Sequence, residues 1–301
     1  MNKNLKVNIA GVELKNPVLT ASGTFGSGRE YGEFVDLNKL GGVIVKGVSH
    51  TPWKGNATPR IAETHGGMLN SIGLQNPGAR AFIQDDLPFL KRLDTKVIVN
   101  LCGHTIEQYV QVAQDFDGVD VDMFELNISC PNISEGGMAF GTDVKMVEAV
   151  VSSVKECVKA PLIVKLSPNV TDIAAIAVAA QRGGADAVSL INTVMGMKID
   201  IHRRKPVLAN KIGGLSGPAI KPVAVRMVWQ VAKSVSIPVI GMGGISTGED
   251  AIEFIMAGAA AIAVGTANFV NPTATVDILS GIESFMDRHG VKDLGEIRGI
   301  V

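Results

Sequence analysis

The amino-acid sequence predicts an α/β fold, a (β/α)8 or TIM barrel, formed as a single domain over residues 1–301. Eight short apolar segments are rich in β-branched residues, as buried strands are. Segments with helical periodicity separate them, and strands that alternate with helices are typical of a parallel sheet. Barrels of this type commonly have about 250 residues or more, so the chain length of 301 residues fits one barrel.

Each predicted strand ends at a polar side chain or a glycine turn. In chain order the strands are 18–21, 43–45, 97–99, 124–126, 162–164, 188–191, 239–240 and 261–264. They are followed, in the same order, by Ser22, Lys46, Asn100, Asn127, Lys165, Asn192 with Thr193, Gly241–Gly244, and Gly265 with Thr266. The carboxyl ends of all strands of such a barrel lie on one rim, where its active sites are found. The pattern therefore predicts an enzyme.

The segments between and before the strands complete the predicted barrel. Leu5, Val7 and Ile9 alternate with polar residues before Gly11, which predicts a short amino-terminal β-hairpin beneath the barrel. The connections after Lys46 and after Asn192 are too long for simple crossovers, and we expect them to form long loops over the carboxyl-terminal face. Helices are predicted at 105–116, 143–158, 172–182, 219–234, 247–257 and 273–289.

Composition and charge exclude several classes of partner. The chain has 28 Lys and Arg against 29 Asp and Glu, a net charge of -1, and no long basic run, so neither nucleic acid nor an anionic membrane is expected. The longest weakly polar run, 254–265, is well short of the roughly 20 residues that span a bilayer. The three cysteines Cys102, Cys130 and Cys157 lack the spacing of a metal site. We therefore expect a cytoplasmic protein with a small-molecule substrate and no bound metal.

Glycine turns after the last two strands predict a phosphate site. Gly243 and Gly244 follow the seventh strand, and Gly265 with Thr266 follows the eighth. Glycines let backbone N–H groups come close to a phosphate, and barrels often bind phosphate after these two strands. The alternative is that the glycines only permit tight turns.

Two lysines and a set of amides narrow the ligand. Lys46 and Lys165 end the second and fifth strands, where a buried cation would stabilise the negative charge of a ring that accepts a hydride. Each could instead be a solvated surface charge. A further group of uncharged residues supplies donors and acceptors suited to a cyclic amide or a flat heterocycle, although each could also be a turn former or a strand cap. These are Asn70, Asn100, Asn127, Asn192 and Thr193.

Cys130 is the candidate catalytic residue. It lies directly after the fourth strand in the segment Asn127–Asn132, and Pro131 predicts a loop of defined shape over the barrel mouth. A thiol there can act as a nucleophile or, when ionised, as a base. The alternative is a small buried hydrophobe, which is what we expect of Cys157. The role of Cys102 stays open.

These motifs together resemble a known family. Asn127–Asn132 (NISCPN), Asn70–Leu74 (NSIGL), Asn192 with Thr193 and the two glycine turns are similar to class 1 dihydroorotate dehydrogenases, which depend on a cysteine. The resemblance runs from Asn16 to the last strand. Leu19–Gly26 and the segment 135–141 are most similar to the class 1B catalytic subunit.

The resemblance implies a binding site for FMN and one for dihydroorotate. It implies that Cys130 takes a proton from C5 while hydride leaves C6 for the flavin, giving orotate in pyrimidine (UMP) biosynthesis. The implied FMN-binding residues are Ser22, Lys46, Gly47, Asn100, Asn127, Lys165, Ile191, Gly217, Gly243, Gly244, Gly265 and Thr266. The implied substrate-binding residues are Lys46, Asn70, Ser71, Ile72, Gly73, Leu74, Asn127, Asn192 and Thr193.

Class 1B also implies a partner. Electrons would pass to an iron-sulfur flavoprotein subunit carrying FAD and a [2Fe-2S] cluster and then to NAD+, in a heterotetramer of two catalytic and two electron-transfer chains. The sequence has no cysteine cluster and no dinucleotide-binding glycine motif at its first strand. A class 1A homodimer that reduces fumarate would show the same absences, so it remains an alternative.

Two further alternatives come from other functional classes. One is a barrel lyase or isomerase of a sugar phosphate, with Lys165 as a Schiff-base amine. It leaves Cys130 and the asparagines unexplained. The other is a flavin- or nucleotide-binding protein without catalysis. It is disfavoured because a candidate base, a candidate cation and amide groups occur together.

Overall fold

The computed structural model describes residues 3–129 and 140–301, in which eight parallel strands form a closed barrel. All strands in chain order are β1 (Val7–Ile9), β2 (Val12–Leu14), β3 (Val18–Thr20), β4 (Gly42–Ile44), β5 (Ile61–Thr64), β6 (Gly67–Asn70), β7 (Lys96–Leu101), β8 (Met123–Asn127), β9 (Leu162–Lys165), β10 (Ala187–Leu190), β11 (Val194–Met197), β12 (Ile199–Asp200), β13 (Lys205–Pro206), β14 (Ile212–Ser216), β15 (Val239–Met242) and β16 (Ala261–Val264). The barrel order is β3-β4-β7-β8-β9-β10-β15-β16, closing on β3. Each predicted strand overlaps one of these, so the predicted barrel is confirmed.

The helices confirm the six predicted helical segments. They are α1 (Ala79–Ala81), α2 (Leu87–Leu90), α3 (Ile106–Gln114), α4 (Val144–Lys155), α5 (Ile173–Arg182), α6 (Lys221–Ala232), α7 (Gly248–Met256), α8 (Ala267–Val270) and α9 (Ala274–His289). Four of them begin after a short polar residue that caps the first turn: the side chains of Thr105, Asp143, Asp172 and Thr247 accept backbone N–H groups. Within the described ranges, no helix is both long enough and apolar enough to span a bilayer.

Side chains of the barrel strands alternate between two cores. One set, including Leu19, Ile98 and Ile163, points into the barrel, and a second, larger set packs between the strands and the helices. Ile9 and Leu14 of the β1–β2 hairpin are fully buried in the inner set. The hairpin leads directly into the start of β3, so it closes the amino-terminal end of the barrel, as predicted.

The two long connections meet in an antiparallel sheet of order β11-β14-β6-β5, which we call the cover sheet. The sequence predicted these connections as loops, because three of the four strands are short segments that contain glycine. One glycine shows why it is needed: a Cβ at Gly214 would lie 1.9 Å from Oγ1 of Thr193. Glycine thus lets the cover sheet pack directly on the residues that follow β10.

Candidate active site

A cavity of about 1540 Å³ opens at the carboxyl-terminal rim, between the barrel and the cover sheet. Small-molecule sites usually have about 300 to 1,000 Å³, so this one has room for a cofactor and a second small molecule. Most of the predicted site residues line it. These are Ser22, Lys46, Asn70, Ser71, Ile72, Gly73, Leu74, Asn127, Lys165, Ile191, Asn192, Thr193, Gly217, Gly243, Gly244, Gly265 and Thr266.

The other predicted site residues are Gly47, Asn100 and Cys130. Gly47 and Asn100 are buried and do not line the cavity. Cys130 lies outside the described residues, as does the rest of the segment 130–139. Ser129 on one side of that segment and Gly141 on the other both line the cavity. The described chain therefore borders the cavity on both sides of the segment.

The glycine turns form a cradle that larger residues could not form. Gly217, Gly243 and Gly244 have φ angles of 105°, 124° and 79°, which favour glycine. A Cβ at Gly244 would lie 2.8 Å from the carbonyl oxygen of Gly217 and 3.0 Å from the backbone nitrogen of Lys221. Gly244 therefore packs directly against the backbone of Gly217 and Lys221, and glycine turns of this kind let backbone N–H groups approach a phosphate.

Two hydroxyl groups border the same cradle. Oγ1 of Thr266 donates a hydrogen bond of 2.8 Å to Oγ of Ser216, and both residues line the cavity. Ser216 was not among the predicted site residues. It ends β14 of the cover sheet, a strand that its glycines concealed, so its position at the cavity had no signal in the sequence.

Lys46 and Lys165 bring two positive charges to the cavity. Lys165 ends β9 and is only 5% exposed. Its Nζ and that of Lys46 form no hydrogen bond or ion pair with any residue of 3–129 or 140–301. Burial lowers the pKa of Lys46, and Lys165 and Arg60 lower it further, although Cys102 acts in the opposite direction. An anionic ligand would relieve this cost, so the cavity favours negative charge.

Three asparagines each have half of the amide satisfied by the protein. Nδ2 of Asn70 donates to the carbonyl oxygen of Gly214 at 3.3 Å. Oδ1 of Asn127 accepts from the backbone of Ser129 at 3.2 Å, and Oδ1 of Asn192 accepts from that of Thr193 at 2.8 Å. The remaining halves have no partner among the described residues: one carbonyl, on Asn70, and two NH2 groups. This set matches a ring that has both N–H and C=O groups.

Asn100 differs from these three because it lies inside a strand. The predicted strand ended at residue 99, but β7 continues to Leu101, so Asn100 points into the barrel below the rim. Its Nδ2 donates to Oε2 of Glu125 at 2.6 Å, and its Oδ1 is buried without a partner among the described residues. That oxygen lies 2.9 Å from where a Cβ of Gly47 would be. Gly47 thus leaves space above the amide.

Sequence reasoning missed several polar residues of this region. Asn169 lines the cavity and holds the segment after β10, donating to the carbonyl oxygen of Thr193 at 3.0 Å and accepting from the backbone of Met195 at 3.0 Å. Glu125 is fully buried in β8. Both had signals: Asn169 closely follows a strand end, and Glu125 is a charge within an otherwise apolar strand.

Comparisons with known proteins give one consistent result. A family model described as dihydroorotate dehydrogenase matches residues 4–286. The chain is 67% identical over 296 residues to "Dihydroorotate dehydrogenase B (NAD(+)), catalytic subunit" of Alkaliphilus metalliredigens, with 98% of each chain covered. It is 64% identical over 297 residues to the protein of the same name from Alkaliphilus oremlandii, covering 99% of this chain and 98% of that one. For the one from Thermoanaerobacter pseudethanolicus the identity is 55% over 296 residues, with 98% of each chain covered. The matched residues include the barrel, the cover sheet and the whole cavity lining.

Proposed function

The chain belongs to the dihydroorotate dehydrogenase family of flavin-dependent oxidoreductases, and on this premise we propose that it is the catalytic subunit of a class 1B, NAD+-linked enzyme. It oxidises (S)-dihydroorotate to orotate in pyrimidine biosynthesis. The observation that carries the proposal is the convergence of Lys46, Lys165 and the half-satisfied amides of Asn70, Asn127 and Asn192 on one cavity large enough for two ligands.

The residues present fit FMN. The glycine cradle of Gly217, Gly243 and Gly244 suits its phosphate, together with the turn at Gly265 and Thr266. Lys165 is a buried cation without a protein partner among the described residues, which suits a ring that gains negative charge. When bound, FMN supplies the acceptor for the hydride that leaves C6 of dihydroorotate. The other residues of the proposed FMN site are Ser22, Lys46, Gly47, Asn100, Asn127 and Ile191.

The amides and Lys46 suit dihydroorotate, a cyclic ureide with a carboxylate. The ammonium group of Lys46 provides the charge that binds a carboxylate. The NH2 groups of Asn127 and Asn192 can donate to ring carbonyls, and the carbonyl of Asn70 can accept from a ring N–H. Ser71, Ile72, Gly73, Leu74 and Thr193 complete the proposed substrate site.

Cys130 is the proposed base. It follows Ser129, which lines the cavity and whose Oγ donates to the carbonyl oxygen of Lys165 at 3.1 Å. The described neighbour of Cys130 in the sequence thus belongs to the cavity lining, which supports Cys130 as the base. The thiolate takes the proton from C5: the C–H bond breaks, an S–H bond forms, and the electron pair becomes the C5–C6 double bond of orotate as hydride leaves C6.

The proposed partner is an electron-transfer subunit with FAD and a [2Fe-2S] cluster, which delivers the electrons to NAD+ in the cytoplasm. The assembly would contain two catalytic and two electron-transfer chains. Support comes from the relatives, whose names specify NAD(+) and a catalytic subunit and which match this chain over nearly its full length.

The experiment that tests this function measures the flavin absorbance of the purified chain, the reduction of the flavin by dihydroorotate, and the electron acceptor that supports turnover. The purified chain should show flavin absorbance, and anaerobic dihydroorotate should bleach it. NAD+ turnover should require co-expression with an iron-sulfur flavoprotein that co-purifies in equal amounts. A colourless protein, or flavin that dihydroorotate does not reduce, would overturn the enzyme assignment. Turnover of fumarate by the chain alone would replace class 1B by class 1A.

A further inference from the structure

Beneath the cavity lies a buried carboxylate to which neither the family resemblance nor the proposed mechanism gives a role. Glu125 and Lys165 are the only two charged residues that are buried in the part of the chain that the structure describes. Glu125 is 0% exposed and lies in the middle of β8. An inward-facing carboxylate is costly unless it is satisfied by partners, and an apolar residue would fill the space without this cost.

The partners of Glu125 connect three strands of the barrel. Its Oε2 accepts from Nδ2 of Asn100 on β7 at 2.6 Å, and its Oε1 accepts from Oγ of Ser189 on β10 at 2.7 Å. Because both oxygens accept, the network suits the ionised form. No cation of the described residues lies within ion-pair distance of Glu125. A local salt bridge therefore does not explain the charge.

The strand register places this carboxylate on the strand next to Lys165, one inward-facing position below it. Asn127 is in register with Lys165, and Glu125 lies two residues before Asn127 on the same inward-facing side of β8. Ser189, which binds Glu125, is itself in register with Lys165. Both groups are buried, and charges in a protein interior are screened much less than charges at the surface.

We propose that Glu125 is a positioning residue that sets the reduction potential of the bound flavin. Its negative charge offsets part of the positive potential of Lys165 and Lys46. Its oxygens also hold the Asn100 amide with the NH2 group downward and Oδ1 toward Gly47. The inference rests on the proposed function, because it requires a flavin at the rim.

The direct test is Glu125→Gln. A ring that has gained a hydride carries more negative charge than the oxidised ring, so removing a nearby negative charge should favour the reduced form. We expect the two-electron midpoint potential to rise by about 30 mV, a tenfold change in the equilibrium constant. It is measured by anaerobic titration of the FMN-loaded chain against a reference dye, with the FMN dissociation constant as a second readout. An unchanged potential would overturn the proposal.

Two further variants separate charge from structure. Ser189→Ala removes one hydrogen bond and keeps the charge, so its potential should shift by less than a third of the Glu125→Gln shift. The replacement Glu125→Asp restores the negative charge that Glu125→Gln removes, on a shorter side chain at the same position of β8. It should return the potential at least halfway to that of the unmodified chain.

The outcomes distinguish this inference from the function beneath it. If Glu125→Gln does not fold, Glu125→Asp decides, because it conserves the buried charge: a potential near the unmodified value supports the proposal, and a raised potential overturns it. A Ser189→Ala shift as large as that of Glu125→Gln would assign the effect to packing. An unmodified chain without flavin would instead remove the proposed function itself.

Discussion

The barrel rim and the cover sheet form two walls of one cavity, and they are built differently. The rim consists of the carboxyl ends of parallel strands paired on both sides, and Lys165 there is almost fully buried. The cover sheet is antiparallel, comes from two connections distant in sequence, and exposes large apolar residues such as Ile61 and Ile212. The paired strands of the rim can hold reactive side chains in fixed positions, whereas the cover sheet contributes contacts to the bound ligand. Substitutions at the rim should therefore alter the rate of flavin reduction and the properties of the bound flavin. Substitutions in the cover sheet should alter the affinity for the substrate.

The largest effect is expected from replacing the proposed base, in Cys130→Ala. Loss of a positioned base should slow flavin reduction by about 10² to 10⁴ fold and leave FMN bound. Anaerobic stopped-flow reduction by dihydroorotate measures this rate. Cys130→Ser should regain activity mainly at high pH, because a hydroxyl ionises far less readily than a thiol.

A second cysteine serves as the control for this prediction. Cys157 follows α4, and its thiol is bound to the carbonyl oxygen of Ser153 at 3.3 Å, outside the cavity lining. In the Cys157→Ala variant, dihydroorotate should reduce the flavin at the same rate as in the unmodified chain. If the flavin of the Cys130→Ala variant were also reduced at that rate, a group other than Cys130 would have to accept the C5 proton of dihydroorotate.

The next largest effect is expected from Lys165→Met, which removes the buried cation and keeps a long side chain. Without this charge the reduced flavin loses stabilisation, and removal of one such group typically costs about 10² to 10³ fold in rate. Reduction rate and FMN affinity should both fall. The matched control is Lys159→Met, since that side chain is 94% exposed. Equal behaviour of the two variants would make Lys165 a structural charge only.

The cover sheet should respond differently, and Asn70→Ala tests it. This change removes the free carbonyl of Asn70 and its hydrogen bond to Gly214. We expect KM for dihydroorotate to rise by about tenfold, equivalent to about 1.4 kcal/mol, with the flavin spectrum and reduction potential unchanged. Ile199→Ala, on an exposed strand outside the cavity lining, is the control. A fall in the limiting reduction rate without a change in KM would contradict the division between the two walls.

The same division explains what the sequence could predict. Rim positions such as Lys165 follow from short apolar runs, because burial on both faces of a parallel sheet leaves a continuous pattern. The cover sheet has no such pattern: the pairing of Gly214 with Asn70 joins residues far apart in sequence. Its strands are stabilised by those partners and not by local preference.

The second feature that the sequence could not predict was the position of a polar residue along its strand. The end of an apolar run predicts the end of a strand, but Asn100 is polar and still belongs to β7. A polar residue can lie inside the barrel when it has a buried partner. Asn100 does so because it donates a hydrogen bond to Glu125 on the neighbouring strand. Because Glu125 is itself polar within an apolar run, neither residue could be placed without the other.

The smallest effect is expected behind the glycine cradle, where Asp250 stabilises the start of α7. Burial by itself would raise the pKa of Asp250, but hydrogen bonds from Lys221, Ser246 and Thr247 outweigh it and lower the pKa to about 2. Because the folded-state pKa lies below the unfolded one, this contribution is full above about pH 4 and is lost as pH falls toward 2. Asp250→Asn should cost about 1 kcal/mol at pH 7, the typical net contribution of a hydrogen bond, and the two proteins should converge in stability as the pH is lowered toward 2. Urea unfolding at several pH values measures this, with Glu249→Gln on the exposed side of the same turn as the control. A difference that persisted unchanged at low pH would mean that Asp250 contributes through packing and not through its charge, and a change in KM would mean that the helix layer also shapes the cavity.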